Sequence, residues 1–332
     1  HYGDADRARI AAACELMIPC RTGRRLDTGE TEARHLLSTA DILVALRMDA
    51  ETLCAALLNG CLGRDGLTEQ DLAERFDPGL ARMVADLARI GQLANIERIV
   101  AAKDQQQHEE NLRRLLLSIA EDVRVVLVVL AERLHLMRAA KHLDRERQQK
   151  LALETRRVYA PLANRLGVWQ VKWELEDLSL RYLEPDEYKR MARLLRERRN
   201  ERQEYIGRIF ETLQTELARA GIKASISGRP KHIYSIWRKM RRKGVDIAEI
   251  FDLRAVRIMV DDIPACYVVL GIVHGLWRHI PREFDDYIAT PKGNMYQSLH
   301  TAVIGPDDKP LEVQIRTYQM HEHAEYGVAA HW

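Results

Sequence analysis

The segment LEVQIRT, residues 311–317, alternates apolar and polar side chains without a break. A strict period of two is typical of a β-strand with one buried face and one polar face. It places Glu312 and Gln314 together on the polar face. The preceding SLHTAVI, residues 298–304, is predicted to pair with this strand as a hairpin across the turn GPDDKP. This hairpin predicts a β-rich unit near the C-terminal end of the chain.

Polar residues gather around the hairpin in a way that suits nucleotide chemistry. The pairing could bring His300 close to Glu312 and Gln314, while Lys292 and Tyr296 lie on the loop that enters it. A carboxylate, a lysine that can bind phosphate and a tyrosine that can stack on a base then share one region. A structural sheet whose polar side chains face solvent is the alternative for the hairpin alone.

The segment GRPKHIYSIWRKMRRKG combines the end of a strand with an amphipathic helix. Gly-Arg-Pro breaks the alternating run before it, so the helix is predicted to begin near Pro230 or Lys231. From there Lys231, Ser235 and Lys239 recur every four residues, on a face separate from the apolar stripe. Because a helix N-terminus also offers free N–H groups, this face could bind a triphosphate. A solvated lysine stripe is the alternative.

A third segment, FDLRAVRIMVDD, is an apolar strand interrupted by two charges, Asp252 and Arg257. Charged residues are rarely buried unless they are paired, so their presence in an apolar strand calls for a structural or functional explanation. Asp252 is either a turn residue or, with Glu312, one of two carboxylates that converge on Mg²⁺. Strict alternation would put Asp252 and Arg257 on opposite faces of the strand. Either Asp252 therefore precedes the strand, or a β-bulge turns one of the two side chains to the other face.

In this order and spacing, the segments resemble the synthetase domain of the RelA/SpoT homologue family, enzymes that make the alarmones ppGpp and pppGpp. The match rests on GRPKHIYSIWRKM, FDLRAVRI, DYIATPKGNMYQSLHT, EVQIRT and AEYGVAAHW. The resemblance implies a mixed-sheet, nucleotidyltransferase-like domain that binds ATP and GDP or GTP. The ribose 3′-hydroxyl of the acceptor would attack the β-phosphorus of ATP, and AMP would leave.

The resemblance also implies roles for individual residues. Arg229 and Arg257 would hold the adenine of ATP, and its phosphates would bind Lys231, Ser235 and Lys239.

Asp252 and Glu312 would hold the cofactor Mg²⁺, and Glu312 would help to deprotonate the acceptor. Tyr296 would stack on guanine. The other residues implied to contact the acceptor, its phosphates or the reacting hydroxyl are Lys292, Asn294, His300 and Gln314.

The first half of the chain resembles the same family's hydrolase domain, which is helical and binds a metal through a histidine, a His-Asp pair and a later aspartate. His35 fits the first position, but Asn59 and Gly60 replace the pair and Glu132 takes the last position. Further positions of that site are also changed, namely Gly63, Arg64 and Leu136. Because glycine offers no ligand and asparagine a weak one, we expect no hydrolase activity. The domain is then a scaffold or regulator, and His35 a surface or helix-end histidine.

An acidic cluster in REFDDY also distinguishes this chain within the family. Bifunctional relatives carry Arg-x-Lys-Asp here, whereas Glu283, Asp285 and Asp286 follow the pattern of the monofunctional, synthesis-only type. Since these acids would lie beside a polyanionic acceptor, an additional Mg²⁺ is expected to bridge them to its phosphates. A solvated acidic turn is the alternative.

Composition agrees with a cytoplasmic enzyme. The formal net charge of +2 over 332 residues is too small for a general polyanion binder. The five cysteines form no CxxC pair, so reduced thiols are expected. The apolar run VRVVLVVLAERL is too short for a membrane span and ends in charge, so it is predicted to be a buried helix.

The predicted fold class is α+β, with helical spacing as far as about Tyr182 and strands only after the helix EYIGRIFETLQTELARAG. We expect a helical pseudo-hydrolase domain at 1–168, a helical linker at 169–202 and the synthetase domain at 203–332. Family members usually continue beyond the AAHW segment, so the chain resembles an N-terminal catalytic fragment. Ribosome and uncharged tRNA would then be contacted through further C-terminal domains, and a homo-oligomer is possible.

Two rival functions stay open at this point. One is an inactive nucleotide-binding regulator. The other is a pyrophosphotransferase with another nucleotide acceptor, because Tyr296 would stack on any base.

Overall fold

The computed structural model describes residues 2–100, 122–197, 199–228, 232–244 and 254–327. Two compact units divide the described chain, one ending at Leu183 and the other spanning Glu184–Gly327. Helices fill the first unit, and a sheet with helices makes up the second, so the fold class is α+β as predicted. The predicted linker, 169–202, spans this division; its bounds stay a prediction.

The first unit consists of helices joined by short turns. Its α-helices are α1 (Asp4–Arg21), α2 (Glu32–Ala45), α3 (Ala50–Leu57), α4 (Glu69–Arg75), α5 (Pro78–Val100), α6 (Val123–Ala139), α7 (Arg145–Glu154), α8 (Ala160–Arg165) and α9 (Trp169–Leu183). A π-helical turn, Thr155–Tyr159, joins α7 to α8. Side-chain caps begin several of these helices; for example, the Thr31 hydroxyl accepts a hydrogen bond from the backbone N–H of Arg34 at the start of α2.

The apolar run VRVVLVVLAERL forms α6 and lies in the core, as predicted. Val125, Leu127 and Leu134 are among its buried residues. Helix α6 packs against α2, α3 and α9, so apolar residues are buried around most of its circumference. Within the described residues, no helix combines the length and the apolarity that crossing a membrane requires.

The second unit contains a five-stranded sheet with helices before, between and after its strands. The helices are α10 (Pro185–Glu197), α11 (Arg199–Arg219), α12 (Ile233–Lys243), α13 (Ile263–Leu276) and α14 (Tyr318–Tyr326). The strands are β1 (Ala224–Gly228), β2 (Ala255–Val260), β3 (Arg278–Asp286), β4 (Leu299–Ile304) and β5 (Pro310–Thr317). Their order in the sheet is β1-β2-β5-β4-β3.

Strands β4 and β5 form the predicted antiparallel hairpin, joined by a turn that contains a short 3₁₀ helix, Pro306–Asp308. Strand β2 runs parallel to β5, and the remaining neighbours are antiparallel, so the sheet is mixed. One sheet face is apolar and packs against α11 and α13. Its core includes Leu213 and Val273 from these helices and Ile258 and Val313 from the strands. The alternating residues of β5 therefore bury one side and leave Glu312 and Gln314 on the other.

Helix α12 begins at Ile233, two or three residues later than predicted, because His232 still has extended backbone angles. The helix ends at Lys243 and is capped by Gly244, whose φ of 66° lies in the left-handed region that glycine adopts without strain. All five cysteines lie in the described part of the chain, and each is a free thiol there.

Candidate active site

One row of paired residues crosses the sheet on its polar face. His300 of β4 is paired with Gln314 of β5, and Gln314 with Arg257 of β2. At the other edge, Asp285 of β3 is paired with His300. Because directly paired residues on neighbouring strands project to the same face, four predicted site residues from four separate segments meet here.

Glu312 lies next to this row, two residues before Gln314 on the same face. The Gln314 amide donates a hydrogen bond from Nε2 to Glu312 Oε1 over 2.7 Å. Gln314 is completely buried, and its own Oε1 has no hydrogen-bond partner among the described residues. A buried amide of this kind holds the neighbouring carboxylate in one orientation.

The half-buried Glu312 carboxylate fits the predicted Mg²⁺, which prefers carboxylate oxygens. Its predicted companion, Asp252, lies outside the described residues, as do Arg229 and Lys231. Strand β2 is described from Ala255 onward.

Aromatic and basic side chains cluster on the loop that precedes β4. The Tyr296 hydroxyl is 2.8 Å from Nε2 of His300, and the two rings meet edge to face. Lys292 Nζ lies 4.1 Å from the ring centroid of Tyr287 and 5.4 Å from that of Tyr296. Asn294, half-buried, belongs to the same loop. The loop that was predicted to enter the hairpin therefore contacts β4 through Tyr296 and His300.

Tyr287 was missed by the sequence reasoning. Its ring centroid lies 5.3 Å from that of His300, and burial together with a hydrogen bond to Asp285 raises the pKa of its hydroxyl. Only its position between the acidic cluster and Lys292 could have drawn attention to it.

A second network surrounds Arg257. Its guanidinium lies 3.2 Å from Glu325 of α14, and the same carboxylate oxygen accepts a hydrogen bond from Arg316 over 3.1 Å. Arg316 also donates to Nδ1 of His321 over 2.6 Å. Burial and the charges of the two arginines lower the pKa of His321 to about 4, so this histidine is neutral at physiological pH. Sequence reasoning had assigned no role to these α14 residues, because their proximity to Arg257 depends on how the helix packs.

Two of the predicted phosphate-binding residues lie on α12. Ser235 and Lys239 are four residues apart on this helix and therefore share a face.

The acidic cluster divides into two parts. The Asp286 carboxylate accepts hydrogen bonds from the backbone N–H groups of Ile288 and Ala289 and from the Tyr267 hydroxyl. It therefore organises the turn after β3. Glu283 and Asp285 are exposed, so these two are better placed to meet an ion.

In the first unit, a buried arginine lies beside two of the positions to which the hydrolase resemblance assigns metal ligands, Asn59 and Gly60. The Arg21 guanidinium donates to the backbone oxygen of Asn59 and to Glu32. A β-carbon at residue 60 would lie 2.5 Å from Arg21 Nη2, and Gly60 has a φ of 69°. Arg64 pairs with Glu32 as well. A side chain at residue 60 would thus meet a guanidinium, and Gly60 and Arg64 offer no anionic ligand, so these residues do not fit the metal that the resemblance implies.

His35 was expected to be a surface or helix-end histidine; it is at a helix end, but with 4% of its surface exposed it is buried, so the surface alternative was wrong. It lies in the first turn of α2, and its Nε2 is 3.3 Å from Oε1 of Glu132 on α6. Asn59 donates to the other oxygen of Glu132 over 3.2 Å. The packing of α2 against α6 buries the imidazole, which the local sequence could not reveal.

Comparison with known families agrees with both halves of this description. Residues 13–169 match the HD domain, and residues 228–332 match a region found in RelA / SpoT proteins. A helical HD domain followed by a mixed-sheet synthetase domain defines the class of this protein.

Individual related proteins give a more specific comparison than the two family regions. The chain is 48% identical over 295 residues to the GTP pyrophosphokinase of Escherichia coli (strain K12), across 88% of this chain and 39% of that protein. It is 46% identical over 297 residues to the GTP pyrophosphokinase of Photobacterium angustum (strain S14 / CCUG 15956), across 88% of this chain and 39% of that protein.

A protein from Aquifex aeolicus (strain VF5), named guanosine-3′,5′-bis(diphosphate) 3′-pyrophosphohydrolase, is 44% identical over 306 residues, across 92% of this chain and 43% of its own length. The chain thus spans about two fifths of the length of these curated relatives. It belongs to the RelA/SpoT family.

Proposed function

We propose that this chain is an alarmone synthetase, which transfers the pyrophosphoryl group of ATP to the 3′-hydroxyl of GDP or GTP and releases AMP. The products are ppGpp and pppGpp. One observation supports this function above the others: Arg257, Gln314 and His300 are paired in a single row beside Glu312. A surface that carries a cation, an amide, an imidazole and a carboxylate side by side can bind two nucleotides and orient them.

Pyrophosphoryl transfer asks mainly for alignment and charge neutralisation. The acceptor 3′-oxygen forms a bond to the β-phosphorus of ATP, and the bond from that phosphorus to the α,β-bridging oxygen breaks. The hydroxyl proton passes to Glu312, whose carboxylate Gln314 holds in place. The electron pair of the broken bond leaves on AMP.

The side chains around the row would orient the two nucleotides. Arg257, with Arg229, would hold the adenine, and Ser235 and Lys239 of α12, with Lys231, would bind the phosphates of ATP. Tyr296 would stack on the guanine.

Lys292, Asn294 and His300 would contact the acceptor. Mg²⁺ held by Glu312 and Asp252 would neutralise charge on the phosphates when bound.

We further propose that the first unit has lost the hydrolase activity. The buried guanidinium of Arg21 beside Gly60 supports this, because it opposes the binding of a cation there. The domain bounds 1–168 and 203–332 belong to the same proposal.

The function is tested by incubating the 332-residue chain with γ-labelled ATP, Mg²⁺ and either GDP, GTP or an adenine nucleotide. Label should move to the guanine acceptors only. Glu312→Gln and Asp252→Asn should each lower the rate by about 10²- to 10³-fold, since each removes charge without changing volume.

Glu211→Gln, a matched change on the exposed side of α11, should leave the rate unaltered. Absence of labelled guanine product from the unaltered chain would reject the synthetase, and near-normal synthesis by Glu312→Gln would remove Glu312 from the mechanism.

A further inference from the structure

We propose that the first unit binds one divalent transition-metal ion of the zinc type through Glu30, His35 and His135. One ligand atom from each of these residues lies within 4.8 Å of the others. The site differs from the one implied by the hydrolase resemblance, because it shares only His35 with it. Glu30, on the loop before α2, and His135 of α6 supply the other two ligands.

The donor set suits such an ion. Two imidazoles and a carboxylate are ligands of Zn²⁺, and neighbouring ligands of a tetrahedral zinc lie about 3.4 Å apart, given bond lengths of about 2.0–2.1 Å. Nε2 of His135 is already 2.8 Å from Oε2 of Glu30, and the rings of His35 and His135 have their centroids 5.0 Å apart. To reach this geometry, the Glu30 and His135 ligand atoms would separate by about 0.6 Å, and His35 would come into range of both by small side-chain shifts.

The hydrogen bonds of His35 supply an independent observation. Its Nε2 lies 3.3 Å from Glu132 Oε1, so a neutral imidazole that donates from Nε2 carries a lone pair on Nδ1. That Nδ1 is buried and has no hydrogen-bond partner among the described residues, in a side chain only 5% exposed. A buried polar atom of this kind needs an explanation, and a bound ion is one. A carboxylate that orients a metal-binding histidine from its far nitrogen is a recurring arrangement in metal sites.

The surroundings also suit a bound cation. Asn59 donates to Glu132 Oε2 over 3.2 Å and so fixes the carboxylate that supports His35. The Arg21 and Arg64 charges are both paired with Glu32, which limits their repulsion of an ion. A cavity of about 300 Å³ borders His135, one of the three proposed ligands.

The ion would have a structural role, as a cross-link between two helices. Glu30 lies on the loop just before α2, His35 in the first turn of α2 and His135 on α6, so coordination would tie the start of α2 to α6. No hydrolysis follows from this binding, because Gly63 and Arg64 stand where the family places acidic residues.

Metal binding is measured on the whole chain after treatment with a chelator and exchange into buffer with Zn²⁺ or Co²⁺. Elemental analysis should find one zinc per chain, and Co²⁺ should give the visible absorption of a tetrahedral site with nitrogen and oxygen ligands. Zn²⁺ should also raise the Tm, because it binds the folded state.

His135→Asn and the isosteric Glu30→Gln should each weaken zinc binding at least tenfold and abolish the shift in Tm. His142→Asn, which removes an exposed histidine in the same unit, should bind like the unaltered chain. Circular dichroism shows whether each variant is folded. If His135→Asn does not fold, zinc binding by Glu30→Gln tests the proposal by itself.

Absence of stoichiometric zinc on the unaltered chain would overturn the proposal. Full binding by folded Glu30→Gln would overturn it as well, since the ion would then lie elsewhere, for example on the buried thiols.

Discussion

Replacing Gln314 by leucine tests whether the buried amide orients the Glu312 carboxylate. The substitution keeps most of the volume and removes the 2.7 Å hydrogen bond from Nε2 to Glu312 Oε1. A hydrogen bond to a charged group contributes about 1.5–3 kcal/mol. If that energy is lost from the transition state, kcat/KM for synthesis should fall by about 10- to 150-fold, at 1.36 kcal/mol for each tenfold change.

The folded state of Gln314→Leu should lose some stability but remain folded. The lost hydrogen bond lowers the free energy of unfolding, whereas removal of the amide oxygen, which has no hydrogen-bond partner among the described residues, offsets part of that loss. The free energy of unfolding, measured with urea, should therefore fall by no more than about 3 kcal/mol.

Thr301→Val is the matched control, because it removes a buried polar group from the opposite face of the sheet. The Thr301 hydroxyl is 2.9 Å from Nε2 of His274, and the side chain is 1% exposed. This variant should lose about 1 kcal/mol of stability and keep its rate of synthesis. Equal activity of Gln314→Leu and the unaltered chain, with both folded, would refute the positioning role.

Three further outcomes are expected. In the unaltered chain, the rate of synthesis should rise more steeply with free Mg²⁺, beyond saturation of ATP, than it does in the Glu283→Arg/Asp285→Lys double variant. Identical curves of rate against free Mg²⁺ for the two proteins would leave the acidic cluster without a mechanistic role. The pure chain should release no pyrophosphate from ppGpp even with Mn²⁺, because Asn59 and Gly60 replace the metal ligands, and measurable Mn²⁺-dependent turnover would contradict the loss of hydrolysis. Burial and neighbouring guanidinium groups lower the pKa of His321 from 6.5 to about 4, so unfolding takes up a proton between these pH values. The free energy of unfolding should therefore fall as the pH falls through that window, by at most about 1.4 kcal/mol per pH unit, and His321→Gln should make the fall shallower in urea titrations at pH 7 and pH 5.

The hairpin was predictable because its information is local. A period of two in residues 311–317, a turn rich in glycine, proline and aspartate, and a second apolar run define both strands and their pairing. Pairing then determines that His300 lies opposite Gln314, so this part of the site followed from the sequence. The late start of α12 was not predictable, since it depends on the backbone angles of His232.

The environment of individual charged side chains could be predicted from the sequence much less well. The contacts of Glu325 with Arg257 and Arg316 join residues from α14, β2 and β5, and no spacing in the sequence predicts them. His35 gives the same lesson, because its burial comes from α6, almost a hundred residues away along the chain.

The sequence by itself determined which segments become helices and strands, which face of β5 is polar, and which family the chain resembles, because periodicity and motifs are written in neighbouring residues. The tertiary structure decided which polar groups meet. It paired β2 with β5 and so placed Arg257 beside Gln314. It also placed the buried Arg21 guanidinium beside Gly60, a contact between residues almost forty positions apart. Contacts between distant segments depend on how helices and strands pack, and packing optimises the burial of the whole apolar surface rather than any local pattern.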